Sequence, residues 1–368
     1  MLLKHRVFYP LMVVLLVFSL TACDFIQRPD YEAVDPIPSL WKEYKEYFPI
    51  GVAVNGMTIN THSDLIEKHF LSITAENEMK PERFLRGISP NGELILDFSS
   101  GDMILDYARK NEKMVRGHVL VWHSQTPVWF FQDENGENLT PEALLERMEE
   151  YIKEVVGHYK GQFYAWDVVN EVISDSEENP NEIFRINSRW NQIFAGREID
   201  YIEAAFRAAH EADPEAKLYY NDYSAVNPTK RDKIIYMLKE LQARDVPIDG
   251  VGIQAHWAFD WPSAELIEEA IIAYSELGLD IQITELDIRK YSQDMYRRVA
   301  LSTADLKKQA ERYKEVFEVF IKHSDKISSV TIWGVTDDYS WIPQDPLIFD
   351  RNKNPKPAFW AILDALGK

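Results

Sequence analysis

The chain has 368 residues, 46% hydrophobic and 12% aromatic, ample for one large buried core, and its 15 glycines argue against a fibrous or low-complexity architecture. Sixty acidic against 40 basic residues give a formal net charge of −20, which repels phosphate backbones and anionic lipid headgroups and argues against nucleic acid as a partner. A neutral polymer such as a polysaccharide tolerates this charge.

Lys4 and Arg6 precede an apolar run from Val7 to Leu20, the pattern of a secretory signal rather than of a membrane-spanning helix. The next residues, Leu20-Thr21-Ala22-Cys23, resemble the lipobox of bacterial lipoprotein signals. That resemblance implies a signal peptide over 1–22, cleavage before Cys23 and acylation of its thiol, the only cysteine present. An uncleaved anchor helix and an ordinary signal are the alternatives. The expected product is an exported cell-envelope lipoprotein that meets the membrane only through this anchor. A single cysteine leaves no intrachain disulfide, so stability must come from packing. Residues 23–39 are proline-marked, acidic and aperiodic, and read as a lipid-anchored spacer.

From residue 40 to 368 short β-branched runs alternate with longer amphipathic stretches. Strands are predicted over 50–54, 72–79, 114–122, 163–171, 216–223, 250–257, 280–287 and 327–335. Between them fall helical patterns. One covers 141–159, with Thr140 as N-cap, Pro141 at the first position and Glu142 in the first turn. Others cover 199–212, closed by Asp213-Pro214, then 230–244, 263–277 and 303–324 with Ser302 or Thr303 as cap. Eight strand-then-helix units predict an α/β fold, a single (β/α)8 TIM barrel. A doubly wound open sheet fits the same alternation, but no glycine-rich phosphate loop follows any predicted strand.

Such a barrel carries its reactive groups at the C-terminal ends of its strands, and the unusual residues fall there. They are Glu76-Asn77-Glu78-Met79-Lys80 at the second, His118 and Trp122-His123-Ser124-Gln125 at the third, Asn170-Glu171 at the fourth, and Asn221-Asp222-Tyr223 at the fifth. Gln254-Ala255-His256-Trp257 closes the sixth, Glu285-Leu286-Asp287 the seventh and Trp333 the eighth. Any one of these has an ordinary packing explanation, but their occurrence on seven consecutive strands points to one shared mouth. Glu171 and Glu285 are the most telling. A carboxylate where a buried strand emerges suits packing poorly and acid–base or nucleophilic chemistry well. Two of them suggest glycosidic bond cleavage, which uses one protonated and one ionised carboxyl group. His118, His123 and His256 could meet at the mouth, but neither H-E-x-x-H nor paired-cysteine spacing is present, so no metal or other cofactor is expected.

From about Trp41 to Leu366 the chain resembles glycoside hydrolase family 10, the endo-β-1,4-xylanases. The motifs that carry the resemblance are Arg116-Gly117-His118 with Trp122-His123-Ser124-Gln125, Trp166-Asp167-Val168-Val169-Asn170-Glu171, Asn221-Asp222-Tyr223, Gly252-Ile253-Gln254-Ala255-His256, Ile283-Thr284-Glu285-Leu286-Asp287 and Asp345-Pro346-Leu347-Ile348-Phe349-Asp350. By resemblance Glu171 is the general acid/base and Glu285 the nucleophile of a retaining hydrolysis, a chemistry that needs carboxyl groups about 5–5.5 Å apart. It implies that His256 and Asp287 support the nucleophile and that Asn170 bonds the sugar 2-hydroxyl. Glu76, Asn77, Lys80, His118 and Gln125 match positions that hold the two sugars on the non-reducing side, and Gln254 joins this binding set. Trp122, Trp333 and Trp341 are expected to line the cleft, where indoles stack on the apolar faces of sugar rings. Trp341 would crowd the space of a hexose hydroxymethyl, and Tyr223 would reach the leaving-group side. The implied function is endo-hydrolysis of β-1,4 bonds in xylan or xylo-oligosaccharides by a monomer. A catalytically silent saccharide-binding lipoprotein and a retaining β-1,4-glucanase are the competing readings, and the presence of both glutamates with Asn170 and His256 favours an enzyme over the first.

Overall fold

The structure, a computed structural model, describes residues 37–367 except 292, 293, 295 and 299. The expected signal peptide, Cys23 and the spacer as far as 36 lie outside the described residues. One compact unit begins at Pro38.

Eight parallel strands make its core: β1 (Ile50–Val54), β2 (Ser72–Ala75), β3 (Met114–Trp122), β4 (Ala165–Asn170), β5 (Lys217–Asp222), β6 (Gly250–Ile253), β7 (Asp280–Arg289) and β8 (Ile327–Ile332). Each pairs with the next, and β8 returns to β1, so the sheet closes into a barrel with no free edge. Each strand is followed by an outer helix: α1 (Ser63–His69), α2 (Ser99–Lys110), α3 (Pro141–His158), α4 (Glu198–Ala212), α5 (Pro228–Ala243), α6 (Ala264–Ser275), α7 (Thr303–Lys322) and α8 (Pro357–Asp364). This is the predicted TIM barrel.

Local chemistry explains where the helices begin. Thr140 accepts from the Ala143 amide at 3.3 Å and caps α3, whose Leu144, Met148, Tyr151, Ile152 and Val155 form one buried stripe. Ser302 and Asp305 form a reciprocal capping box on α7. α5 starts at Pro228 rather than at 230, because Asn227 caps the amides of Thr229 and Lys230 and proline suits the first helical position.

The strand ends depart from the alternation. β2 stops at Ala75, leaving Glu76 to Lys80 in a turn-rich loop. β4 stops at Asn170 because Glu171 has φ +56°, a left-handed conformation that cannot continue a strand. The predicted sixth strand is broken for the same reason at Ala255 (φ +64°), and a short strand, His256–Ala258, resumes beyond it. That piece pairs with the outer part of β7, Asp287 opposite His256, and so β7 runs on to Arg289. Glu285 therefore sits inside a strand, in an irregular stretch between Ile283 and Leu286, and not at its end.

The barrel interior holds a polar layer. Fully buried Arg116 is ion-paired with Asp167, donates to Gln282 Oε1 at 2.5 Å and lies 4.8 Å from the centre of the Tyr219 ring. Asp167 also bonds His118 Nδ1 at 2.9 Å, which ties this layer to the mouth above it. Packing here leaves no slack. A Cβ on Gly117 would stand 2.1 Å from the indole of fully buried Trp166. Gly117→Ala is expected to destabilise the fold by about 1–3 kcal/mol through overpacking, read as a lower urea midpoint at unchanged m-value.

Candidate active site

Every residue expected at the site except Asp287 lines one cleft of about 710 Å³ at the mouth of the barrel. Asp287 is fully buried behind it.

The loop after β2 supplies one wall. Asn55 donates to Glu76 Oε2 at 3.1 Å, Lys80 donates to Asn77 Oδ1 at 3.1 Å, and Gln125 Nε2 reaches Glu82 Oε1 at 3.0 Å and Asn77 Oδ1 at 3.5 Å. The Lys80 ammonium lies 4.9 Å from the centre of the Trp122 ring. Burial pulls the Lys80 pKa down, against the charges of Glu285, Glu76 and Glu171. Burial likewise pushes the Glu76 carboxyl up, against the hydrogen bond from Asn55.

The floor is a chain of amides between the two glutamates. Gln254 Nε2 donates to Glu171 Oε1 at 2.9 Å and to Asn170 Oδ1 at 3.3 Å. Asn221 Nδ2 donates to the same Asn170 oxygen at 2.9 Å and to Glu285 Oε1 at 2.8 Å. Thr284 Oγ1 fixes the amide of Asn221 by donating to its oxygen at 2.7 Å. The second oxygen of Glu171 accepts from Trp122 Nε1 at 2.8 Å, with His123 Nδ1 3.9 Å away.

Glu285 is differently surrounded. His256 Nε2 stands 3.1 Å from its Oε2, while His256 Nδ1 stands 2.9 Å from Asp287 Oδ2. Trp341 Nε1 donates to that same Asp287 oxygen at 2.6 Å. Burial opposes charge on both partners, yet the paired acids win at the imidazole and the donors win at the acid. Flanked by Asp287 and Glu285, His256 is pushed up to about 10 despite its burial. Burial would raise Glu285, but the His256 hydrogen bond, the charges of His118 and His256 and the Asn221 amide hold it at about 2. Trp333, edge-on to His118 with ring centres 5.4 Å apart and 6.3 Å from His256, completes the wall.

Residues 39–365 match the profile of glycosyl hydrolase family 10. The chain belongs to this family. It is 44% identical over 363 residues to a β-1,4-xylanase of Dictyoglomus thermophilum, covering 96% of this chain and 97% of that one. It is 41% identical over 339 residues to an endo-1,4-β-xylanase of Geobacillus stearothermophilus, covering 89% and 98%. Xylanase B from Clostridium stercorarium F9 superimposes with a TM-score of 0.81 at 41% identity, over 89% of this chain and all of that one.

Sequence reasoning missed several groups of this family 10 cleft. Arg185, from the loop after β4, donates through Nε to the backbone oxygen of Glu171 at 3.0 Å and through Nη2 to the Tyr223 hydroxyl at 2.6 Å. It also pairs with Asp175 at 3.0 Å. Lys230 lies between Asp175 and buried Asp222, 2.8 Å from each, with its ammonium 3.6 Å from the centre of the Tyr223 ring. These contacts pin the left-handed Glu171 peptide and the Tyr223 side of the cleft. Arg289 and Tyr296 also face the cavity. Asn221, seen only as part of a strand-end motif, is the hub between the two glutamates.

The pH signs differ for the two partners. Stability from His256 is complete below its ordinary value of 6.5 and is lost as pH rises through about 10; that from Glu285 is present above 4.5 and lost as pH falls through about 2. Nitrogen-detected NMR should find both His256 ring nitrogens protonated at pH 8. Asp287→Asn should bring the imidazole titration down towards 6.5, and an unaltered titration would contradict this account of the site.

Proposed function

We propose that this family 10 protein hydrolyses β-1,4-xylosidic bonds within xylan chains with net retention, Glu285 acting as nucleophile and Glu171 as general acid/base. One observation carries the reading: two carboxyl groups share a cleft but have opposite surroundings. Glu285 accepts from the imidazole of His256 and the Asn221 amide and stays ionised. Among the described residues Glu171 accepts direct hydrogen bonds only from uncharged donors, Trp122 and Gln254.

Glu285 attacks the anomeric carbon as Glu171 protonates the departing glycosidic oxygen, giving a glycosyl ester and a shortened chain. Glu171, now ionised, takes a proton from water as that water displaces Glu285, and the starting protonation states return. Asn170 has a task in both steps. Its Nδ2 is buried without a partner among the described residues while its oxygen is held by Asn221 and Gln254, so the amide is oriented to donate to the sugar 2-hydroxyl, where bonding strengthens at the transition state. Trp341, fixed through Asp287, favours a pentose by crowding the place of a hexose hydroxymethyl.

Wild-type protein should release reducing ends from soluble xylan and turn over an aryl β-xylobioside faster than the β-cellobioside; the reverse order would make it a glucanase, and binding without release a silent binder. Glu285→Ala should lose at least on the order of 10⁴-fold in kcat. Azide should restore turnover with an α-linked glycosyl azide, and a β-linked product would remove Glu285 from the nucleophile's role.

The lipobox reading supports a mature chain beginning at Cys23, acylated there and tethered to a bacterial envelope by that anchor alone. Mass spectrometry of the mature N-terminal peptide should find a diacylglyceryl mass on Cys23, and an unmodified cysteine or an intact residue 1 would overturn it.

A further inference from the structure

We infer that Arg289 receives a carboxylate of the substrate, so that the cleft selects xylan carrying uronic-acid branches; this rests on the reading of the cleft as a xylan site. Lys80 and Arg289 are the lysine and arginine that line the cavity. Lys80 is committed to Asn77 and lies over Trp122. The Arg289 guanidinium has no hydrogen-bonding or ionic partner among the described residues, and its Nη1 is buried from solvent.

The backbone beneath it is fixed. Arg289 closes β7 opposite Ala258, and its carbonyl accepts from the Phe259 amide at 3.1 Å. Asp287, two residues earlier on the same strand, is engaged through Oδ2 by His256 and Trp341 and does not serve as its counter-ion. A buried N–H without an acceptor calls for an explanation, and a guanidinium cannot relieve the cost by losing its proton. The flat fork of donors matches a carboxylate in two-pronged geometry.

The surroundings make the match selective. The cleft holds the ionised Glu285, and the chain carries a net charge of −20, so an acidic branch is repelled except where a cation meets it. Neutral branches and bare xylose offer only uncharged oxygens, which bond a guanidinium more weakly than a carboxylate does.

The test compares initial rates on glucuronate-branched xylan and on the same polymer after reduction of its carboxyl groups to alcohols, for wild type, Arg289→Lys and Arg289→Met. The ratio of the two rates is the readout, so a general loss of folding or turnover cancels. The wild-type ratio should exceed that of Arg289→Met by about tenfold, the scale of a charge-assisted hydrogen bond, with Arg289→Lys between them. High salt should shrink the wild-type ratio. Equal ratios in wild type and Arg289→Met overturn the inference and leave the guanidinium a donor to hydroxyls. Cleavage of the reduced polymer reports separately on the xylan reading. Should wild type cleave neither polymer, calorimetric titration of the Glu285→Ala protein with uronate-bearing and carboxyl-reduced xylo-oligosaccharides decides, and equal or absent binding overturns the role of Arg289.

Discussion

A carboxylate taken out of water stays charged only where donors replace its lost hydration, and at the mouth of this barrel that carboxylate is Glu285. His256 supplies one donor and is made cationic by standing between Glu285 and Asp287. Asn221 supplies another. Asp287 belongs to the same balance, since it holds the imidazole with one oxygen and uses that oxygen to seat Trp341. The charge of Glu285, the orientation of His256 and the wall of the cleft are thus one hydrogen-bonded unit. Its members come from the end of β5, the outer half of β7, the short strand beyond Ala255 and the loop after β8.

The link from Glu285 to Glu171 is made of uncharged groups. Asn221, Asn170 and Gln254 pass hydrogen bonds from one carboxyl to the other without placing a fixed charge between them. That choice keeps the two acids independent of a permanent counter-ion on the floor while holding both in register with the barrel. Arg185 achieves its positioning from outside, through the backbone carbonyl of Glu171, and spends its charge on Asp175. The same economy appears beneath the site, where the ion pair of Arg116 and Asp167 reaches His118 through the second oxygen of the acid.

Left-handed residues give the mouth its shape. Gln125, Glu171, Ser224 and Ala255 all have positive φ, and each lies at or just beyond the top of a barrel strand. Such conformations cost energy for residues with a side chain and persist only where neighbours enforce them. Around Glu171 the enforcement is visible: its amide donates to the Asn221 carbonyl at 3.0 Å and its own carbonyl accepts from Arg185.

The sequence by itself determined the architecture and the cast of the site. Alternation of β-branched runs with amphipathic stretches made an α/β barrel legible, and Thr140, Ser302 and the prolines marked helix starts, because these signals act between residues close in the chain. α1, α2 and α8 received no predicted range: α1 and α8, of seven and eight residues, fell below what periodicity can reveal, while α2, of twelve, went unread. The glutamates, Asn170, His256 and the indoles stood out because polar and bulky side chains at strand ends have few structural reasons to be there. The tertiary structure alone decided the rest. Glu285 lies within a strand because the segment after Ala255 lends β7 a second partner, a pairing between residues about thirty positions apart. Asn221 is a hub, Arg185 a clamp and Arg289 a guanidinium without a partner among the described residues for the same reason. Each property is fixed by what approaches from another strand or loop, and no local pattern in a chain records which of its distant parts will meet.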